Sequence, residues 1–150
     1  MEPLDAIARI VIHHSASSLS TTLEDIKKWH LERGFSDIGY HYVIESNGLI
    51  RYGRPLPLRG AHTKGANFNS IGICLVGDMT REGEHWTWEQ YETLFQLIGA
   101  WKCIAPRLEI MGHRDVGLLP TICPGVDVYE WLFAQKHPRR PSHPDTKKEA

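Results

Sequence analysis

The sequence predicts an α/β fold: a single domain with a central mixed β-sheet flanked by helices. Three observations lead there. Short β-branched runs alternate with segments of helical period along the 150 residues, the pattern of helices layered on a sheet. The pair Asn47-Gly48 lies between two strand-like runs, so at least one strand pair is an antiparallel hairpin. The run 70–76 (SIGICLV) is apolar at nearly every position, as a central strand covered on both faces must be.

Taken in order, the first strand is expected over 9–13 (RIVIH), which is short, β-branched and apolar. A helix follows over 21–33. Thr21-x-x-Glu24 has the form of a capping box, and Gly34 stands where a helix stops. Residues 40–45 (YHYVIE) return to strand chemistry, and 49–52 form the second arm of the hairpin. After the central strand comes the strongest helical pattern, over 87–102. There Thr87-x-x-Gln90 repeats the capping box, while Trp88, Tyr91, Leu94, Phe95, Ile98 and Trp101 recur at helical spacing. Residues 108–111 suit a short strand. Asp127 then caps a last helix reaching about Phe133, with Glu130 in the favourable first turn. From Lys136 the chain reads KHPRRPSHPDTKKEA, with three prolines, five basic residues and no apolar side chain longer than alanine. Such a segment buries too little surface to offset its ordering entropy. The expected division is therefore a domain at 1–135 and a flexible, basic, proline-rich tail at 136–150.

Composition narrows the function classes. Seventeen basic and eighteen acidic residues leave a net charge of −1, which gives no global support for binding nucleic acid or a membrane surface. Five basic and two acidic residues fall in the tail, which leaves 12 basic and 16 acidic before it, a charge of −4. No secretory signal opens the sequence, and no run approaches the ~18 apolar residues a membrane span needs. Cys74, Cys103 and Cys123 form no CxxC pair and cannot all pair with one another, so a reducing compartment is expected. Cys74 and Cys103 read as core positions.

The nine histidines carry the chemical signal. His13 and His14 end the first strand, at the rim where open α/β sheets deliver functional side chains. His113 follows the second short run of that kind, and Cys123 comes ten residues later. Two imidazoles and a thiolate are good zinc ligands, and three protein ligands leave a fourth tetrahedral position for water. By residue type alone, the alternative is that the three are unrelated, with the cysteine a small buried hydrophobe. His30 and Trp29 share a helix with Ile26 and read as packing. Alternation along a strand sends His41 to the face opposite Tyr40, a structural position. His85, His137 and His143 carry no assignment.

Five blocks bring a family into view: IVIHHSAS (10–17), DIGYHYVIESNGLIRYGR (37–54), GAHTKG (60–65), NSIGICLVGD (69–78) and GHRDV…TICPG (112–125). In this order and spacing the chain resembles the zinc-dependent N-acetylmuramoyl-L-alanine amidases of the phage-lysozyme type, which are related to peptidoglycan-recognition proteins. The resemblance implies zinc held by His13, His113 and Cys123, with His14 a neighbour. It places a catalytic phenol at Tyr40 and a second catalytic position at Thr121, where phage relatives often carry lysine. It puts His62 along the substrate groove; Lys64 is a candidate to meet a stem-peptide carboxylate and Asn69 a similar substrate candidate, with a plain solvated turn as the alternative. The implied reaction is cleavage of the amide between the lactyl group of N-acetylmuramic acid and L-alanine in bacterial peptidoglycan. Zinc lowers the pKa of a bound water toward ~7.

The resemblance further implies an endolysin, made in the host cytoplasm and acting on the cell wall as a monomer. It would make no stable membrane insertion and would depend on a separate membrane-permeabilising protein for access. By its charge the basic tail has two readings, a solvated terminus and a segment that favours anionic envelope surfaces. Two other duties are compatible with the superfamily. A cytoplasmic muropeptide-recycling amidase tends to carry aspartate where this chain has Cys123, and a non-catalytic peptidoglycan-binding protein tends to have lost ligands.

Overall fold

The computed structural model describes residues 6–142. Five strands form one sheet: β1 (Arg9–His14), β2 (Tyr42–Ile44), β3 (Ile50–Tyr52), β4 (Ser70–Leu75) and β5 (Glu109–Gly112). Three α-helices accompany them: α1 (Leu23–Glu32), α2 (Trp88–Ile104) and α3 (Val128–Phe133). Strand order is β3-β2-β4-β1-β5, with β4 at the centre. The β2–β3 hairpin is antiparallel, and the β2–β4, β4–β1 and β1–β5 pairs are parallel. The mixed sheet expected from the hairpin and the central apolar run is the sheet that forms.

Alternation sorts the strand side chains into two layers. Ile10 and Ile12 of β1, Ile71, Ile73 and Leu75 of β4, and Ile110 of β5 pack with Leu94, Ile98 and Trp101 of α2 and with Val128, Trp131 and Leu132 of α3. On the other face Val43, Cys74 and Val76 pack with Leu23 and Ile26 of α1, with Tyr40 against them. His13 lies opposite Cys74 in the β1–β4 register, so the first strand delivers it to the α1 face.

Local chemistry explains the helix ends. Thr87 caps α2 as expected: its hydroxyl accepts the Gln90 N–H, and the Gln90 side chain accepts the Thr87 N–H. Asp127 likewise caps α3 by accepting the Glu130 N–H. The α1 box is shifted one residue from the expected frame, to Thr22 and Asp25. Both frames satisfy the motif. The difference is that Glu24 pairs with Arg51, while the Leu23 N–H donates to Glu45. Gly34, at φ +94°, ends α1, with the Phe35 N–H on the His30 carbonyl and the Gly34 N–H on that of Leu31. That double bond is the Schellman stop, and its left-handed residue is one that glycine adopts without strain.

Several expectations change. Tyr40 and His41 precede β2 instead of opening it, so strand alternation does not govern them. His41 is buried beside His62, ring centroids 5.9 Å apart. Its Nδ1 accepts the Gly72 N–H at 3.1 Å and its Nε2 therefore donates to the Leu58 carbonyl at 2.8 Å, which is the structural role expected of it. Cys74 is fully buried, but Cys103 is exposed; it sits about 200° around α2 from the buried Trp101. Phe95 is half exposed, whereas Gln90, a polar residue, is completely buried. The first residues of the expected tail lie on α2, with His137 stacked on Tyr91 at 3.4 Å and the Arg140 guanidinium 5.5 Å from the Trp88 ring. Its remainder, 143–150 with His143, lies outside the described residues.

Candidate metal centre and active site

The site lies at the carboxyl ends of β1 and β5, where strand β1, a turn and a loop each contribute one side chain. His13 comes from β1. His113 opens a single 3-10 turn directly after β5, held by the Asp115 carboxylate accepting the Gly112 N–H at 2.9 Å. Cys123 comes from the following loop, which the Arg114 N–H ties back by donating to the Cys123 carbonyl at 2.6 Å. Two of the three segments are thus fastened to each other through their backbones.

Among the described residues, His13, His113 and Cys123 form the one group of three side chains able to hold a metal ion, with ligand atoms all within 4.8 Å of one another. The His13 Nδ1 faces the Cys123 Sγ at 3.8 Å, and the His13 and His113 rings lie 4.7 Å apart. A tetrahedral zinc with ordinary bond lengths sets its ligand atoms roughly 3.3–3.8 Å apart. The residues fit the ion in number and donor type, and the His13–Cys123 separation lies at the upper edge of that range. Burial lowers His13 well below the usual imidazole range, with further lowering from neighbouring His62 and His113, and burial lowers half-buried His113 too. Both rings are therefore neutral and can offer lone pairs. Burial pushes the Cys123 thiol up to about 11, so a cation arriving at neutral pH displaces its proton.

The group opens into a cavity of about 530 Å³, lined by Tyr40, His62, Lys64 and Thr121 together with Arg33 and Asn67. The Tyr40 ring lies 5.0 Å from that of His13, and burial raises its phenol well above 10, with nearby Cys74 and Cys123 adding to the effect. The phenol thus keeps its proton, and its hydroxyl lies within hydrogen-bonding reach of the Cys74 thiol. The Thr121 hydroxyl accepts the Cys123 N–H at 3.1 Å, which leaves its own proton to donate. His62 is buried, and its Nδ1 meets the His13 Nε2 at 3.0 Å. Lys64 is exposed at the wall.

Of the eight residues singled out in the sequence, seven converge here. Asn69 does not line the cavity. It sits at the amino end of β4, where its carbonyl accepts the Ala8 N–H. Asn67 occupies the place instead, its side-chain oxygen accepting the N–H groups of His62 and Thr63 at 2.9 and 2.8 Å. Asn67 and Arg33 went unmarked in the sequence, because a loop amide and a cation at a helix end carry no distinguishing spacing. His14 turns aside, accepting the Met79 N–H and lying 3.8 Å from Asp78.

Residues 3–126 match the sequence model of the N-acetylmuramoyl-L-alanine amidase family. The endolysin of Klebsiella phage KP32 is 33% identical over 129 residues, covering 83% of this chain and 84% of its own. Among solved structures, the N-acetylmuramoyl-L-alanine amidase LysC from Clostridium intestinale is 31% identical with a TM-score of 0.74, covering 88% of this chain and 86% of its own. PGRP-SA from Apis mellifera is 27% identical with a TM-score of 0.73, covering 93% and 87%. With the sheet order, the gathered histidines and cysteine, and this likeness along most of its length, the chain belongs to the N-acetylmuramoyl-L-alanine amidase family.

Proposed function

We propose that the chain is a zinc-dependent peptidoglycan hydrolase of the endolysin type, cutting the amide that joins N-acetylmuramic acid to the L-alanine of the stem peptide. The observation that carries this reading is the grouping of His13, His113 and Cys123 at the floor of a cavity walled by hydroxyl donors and cations. When bound there, zinc supplies a Lewis acid and a water made acidic enough to react near neutral pH.

The chain's own residues supply the rest. His13 and His113, kept neutral by burial, present lone pairs without first losing a proton. Tyr40 and Thr121 donate toward the oxygen of the scissile carbonyl as it gains charge, a role worth about 3–4 kcal/mol per donor in comparable sites. Arg33 and Lys64, on the cavity wall, attract the carboxylates of the stem peptide.

Among the described residues no helix is long and apolar enough to cross a membrane. We infer that a separate permeabilising protein gives the enzyme its access to the wall and that it works as a monomer. The test is metal analysis joined to digestion of purified sacculi, for the wild type and Cys123→Ala. One zinc per chain and new L-alanine amino termini, both lost in the variant, are expected. Reducing sugar ends in place of amino termini, or full activity without metal, would overturn the reading.

A further inference from the structure

His62 sits behind the ligand group as well as beside the cavity. Its Nδ1 lies 3.0 Å from the His13 Nε2, and the Thr63 hydroxyl lies 3.0 Å from the same His62 nitrogen and 3.3 Å from the His13 Nε2. All three side chains are buried, with Thr63 at 1% and His13 at 1% exposure. The other nitrogen of His13 faces Cys123. A ring that offers Nδ1 to a cation carries its proton on Nε2, and the nearer of the two acceptors within reach of that proton is His62 Nδ1, at 3.0 Å, with the Thr63 hydroxyl at 3.3 Å.

The His62 ring packs closely against two glycines. A Cβ on Gly72 would overlap its Cγ and Cδ2, and one on Gly60 would come within 2.6 Å of Cδ2. Gly60 and Gly72 thus leave the space that the imidazole fills. The backbone of His62 is fixed as well, because Asn67 accepts its N–H and that of Thr63. Its Nε2 is buried, and the Ser70 backbone is a polar group within reach of the ring.

We propose that His62 is a positioning residue for the cation site: by accepting the Nε2–H of His13 it fixes the orientation and tautomer in which His13 offers Nδ1. The proposal rests on the reading of His13 as a metal ligand. It assigns His62 to the metal's support, where the sequence assigned it to the substrate. Outer partners of this kind typically account for 10–100-fold in metal affinity.

The experiment compares wild type, His62→Asn and His62→Phe. Asparagine places an acceptor near the Nδ1 position, whereas phenylalanine keeps the shape and removes it. Zinc affinity is measured by chelator competition and coordination by the visible spectrum of the cobalt(II) form. Zinc binding 10–100-fold weaker and an altered cobalt spectrum in His62→Phe, with His62→Asn within about threefold of wild type, are expected. Wild-type affinity and spectrum in His62→Phe, with any loss of activity confined to KM, would overturn the proposal and return His62 to the substrate. If phenylalanine does not fold in that space, His62→Ala replaces it, and wild-type affinity there overturns the proposal equally. Failure of the underlying reading looks different: the wild type itself would bind no stoichiometric zinc or cobalt, or Cys123→Ala would bind it unchanged.

Discussion

The Tyr40 phenol and the Thr121 hydroxyl reach the same cavity by different means. Burial keeps the phenol protonated, while Thr121 frees its proton by accepting a backbone N–H. Tyr40→Phe should lower kcat by roughly 10²–10³ with zinc content unchanged, because it removes one donor and no ligand; counting released amino termini against bound zinc checks this. Gly72→Ala should destabilise the fold by about 1–3 kcal/mol in a denaturant titration, since the added methyl collides with the His62 ring held above β4. Residue type and two strand-end histidines suggested grouping His13, His113 and Cys123 but left open that the three were unrelated; the family blocks singled them out together. The His13–His62 contact was not legible in the sequence. It spans 49 residues and depends on a glycine whose importance is the absence of a side chain.

At the scale of elements, apolar runs and punctuation predicted every strand of the sheet and all three α-helices. What they missed are polar groups with tertiary duties. Gln90 falls on the buried stripe of α2, where its amide donates to the carbonyls of Ile44 and Val76, both at 2.9 Å, and so ties the helix to the ends of β2 and β4. A hydropathy pattern registers glutamine as exposed, and only the neighbouring strand ends reveal its partners. Gln90→Leu should cost at least about 2 kcal/mol by thermal or chemical unfolding, because two buried carbonyls lose their donor. The Thr21 frame failed for a related reason: Glu24 had a better partner in Arg51, on a strand distant in sequence. The chain from Lys136 was read from composition alone, and composition does not register a stacked imidazole on Tyr91.

Across the whole molecule, the buried histidines couple the fold to pH. His13, His14, His30 and His62 are all buried, and burial lowers each below 6.5, His62 to about 3. In the unfolded chain these imidazoles bind protons near 6.5, whereas in the folded chain they resist until lower pH. Between those limits the unfolded state holds more protons, so stability is complete above about pH 6.5 and declines as pH falls, by up to ~1.4 kcal/mol per pH unit for each such ring. Metal-free protein should show a melting temperature that drops steadily from pH 6.5 toward 4.5; a level profile there would contradict the burial. The order of the sheet adds a consequence in time. β1 is flanked by β4 and β5, so His13 meets Cys123, 110 residues away, only after strands from opposite ends of the chain have paired. Pairings of such sequence separation are slow to close. During refolding with cobalt(II), the thiolate charge-transfer band should therefore lag the helical signal, making metal capture a clock for the final long-range closure.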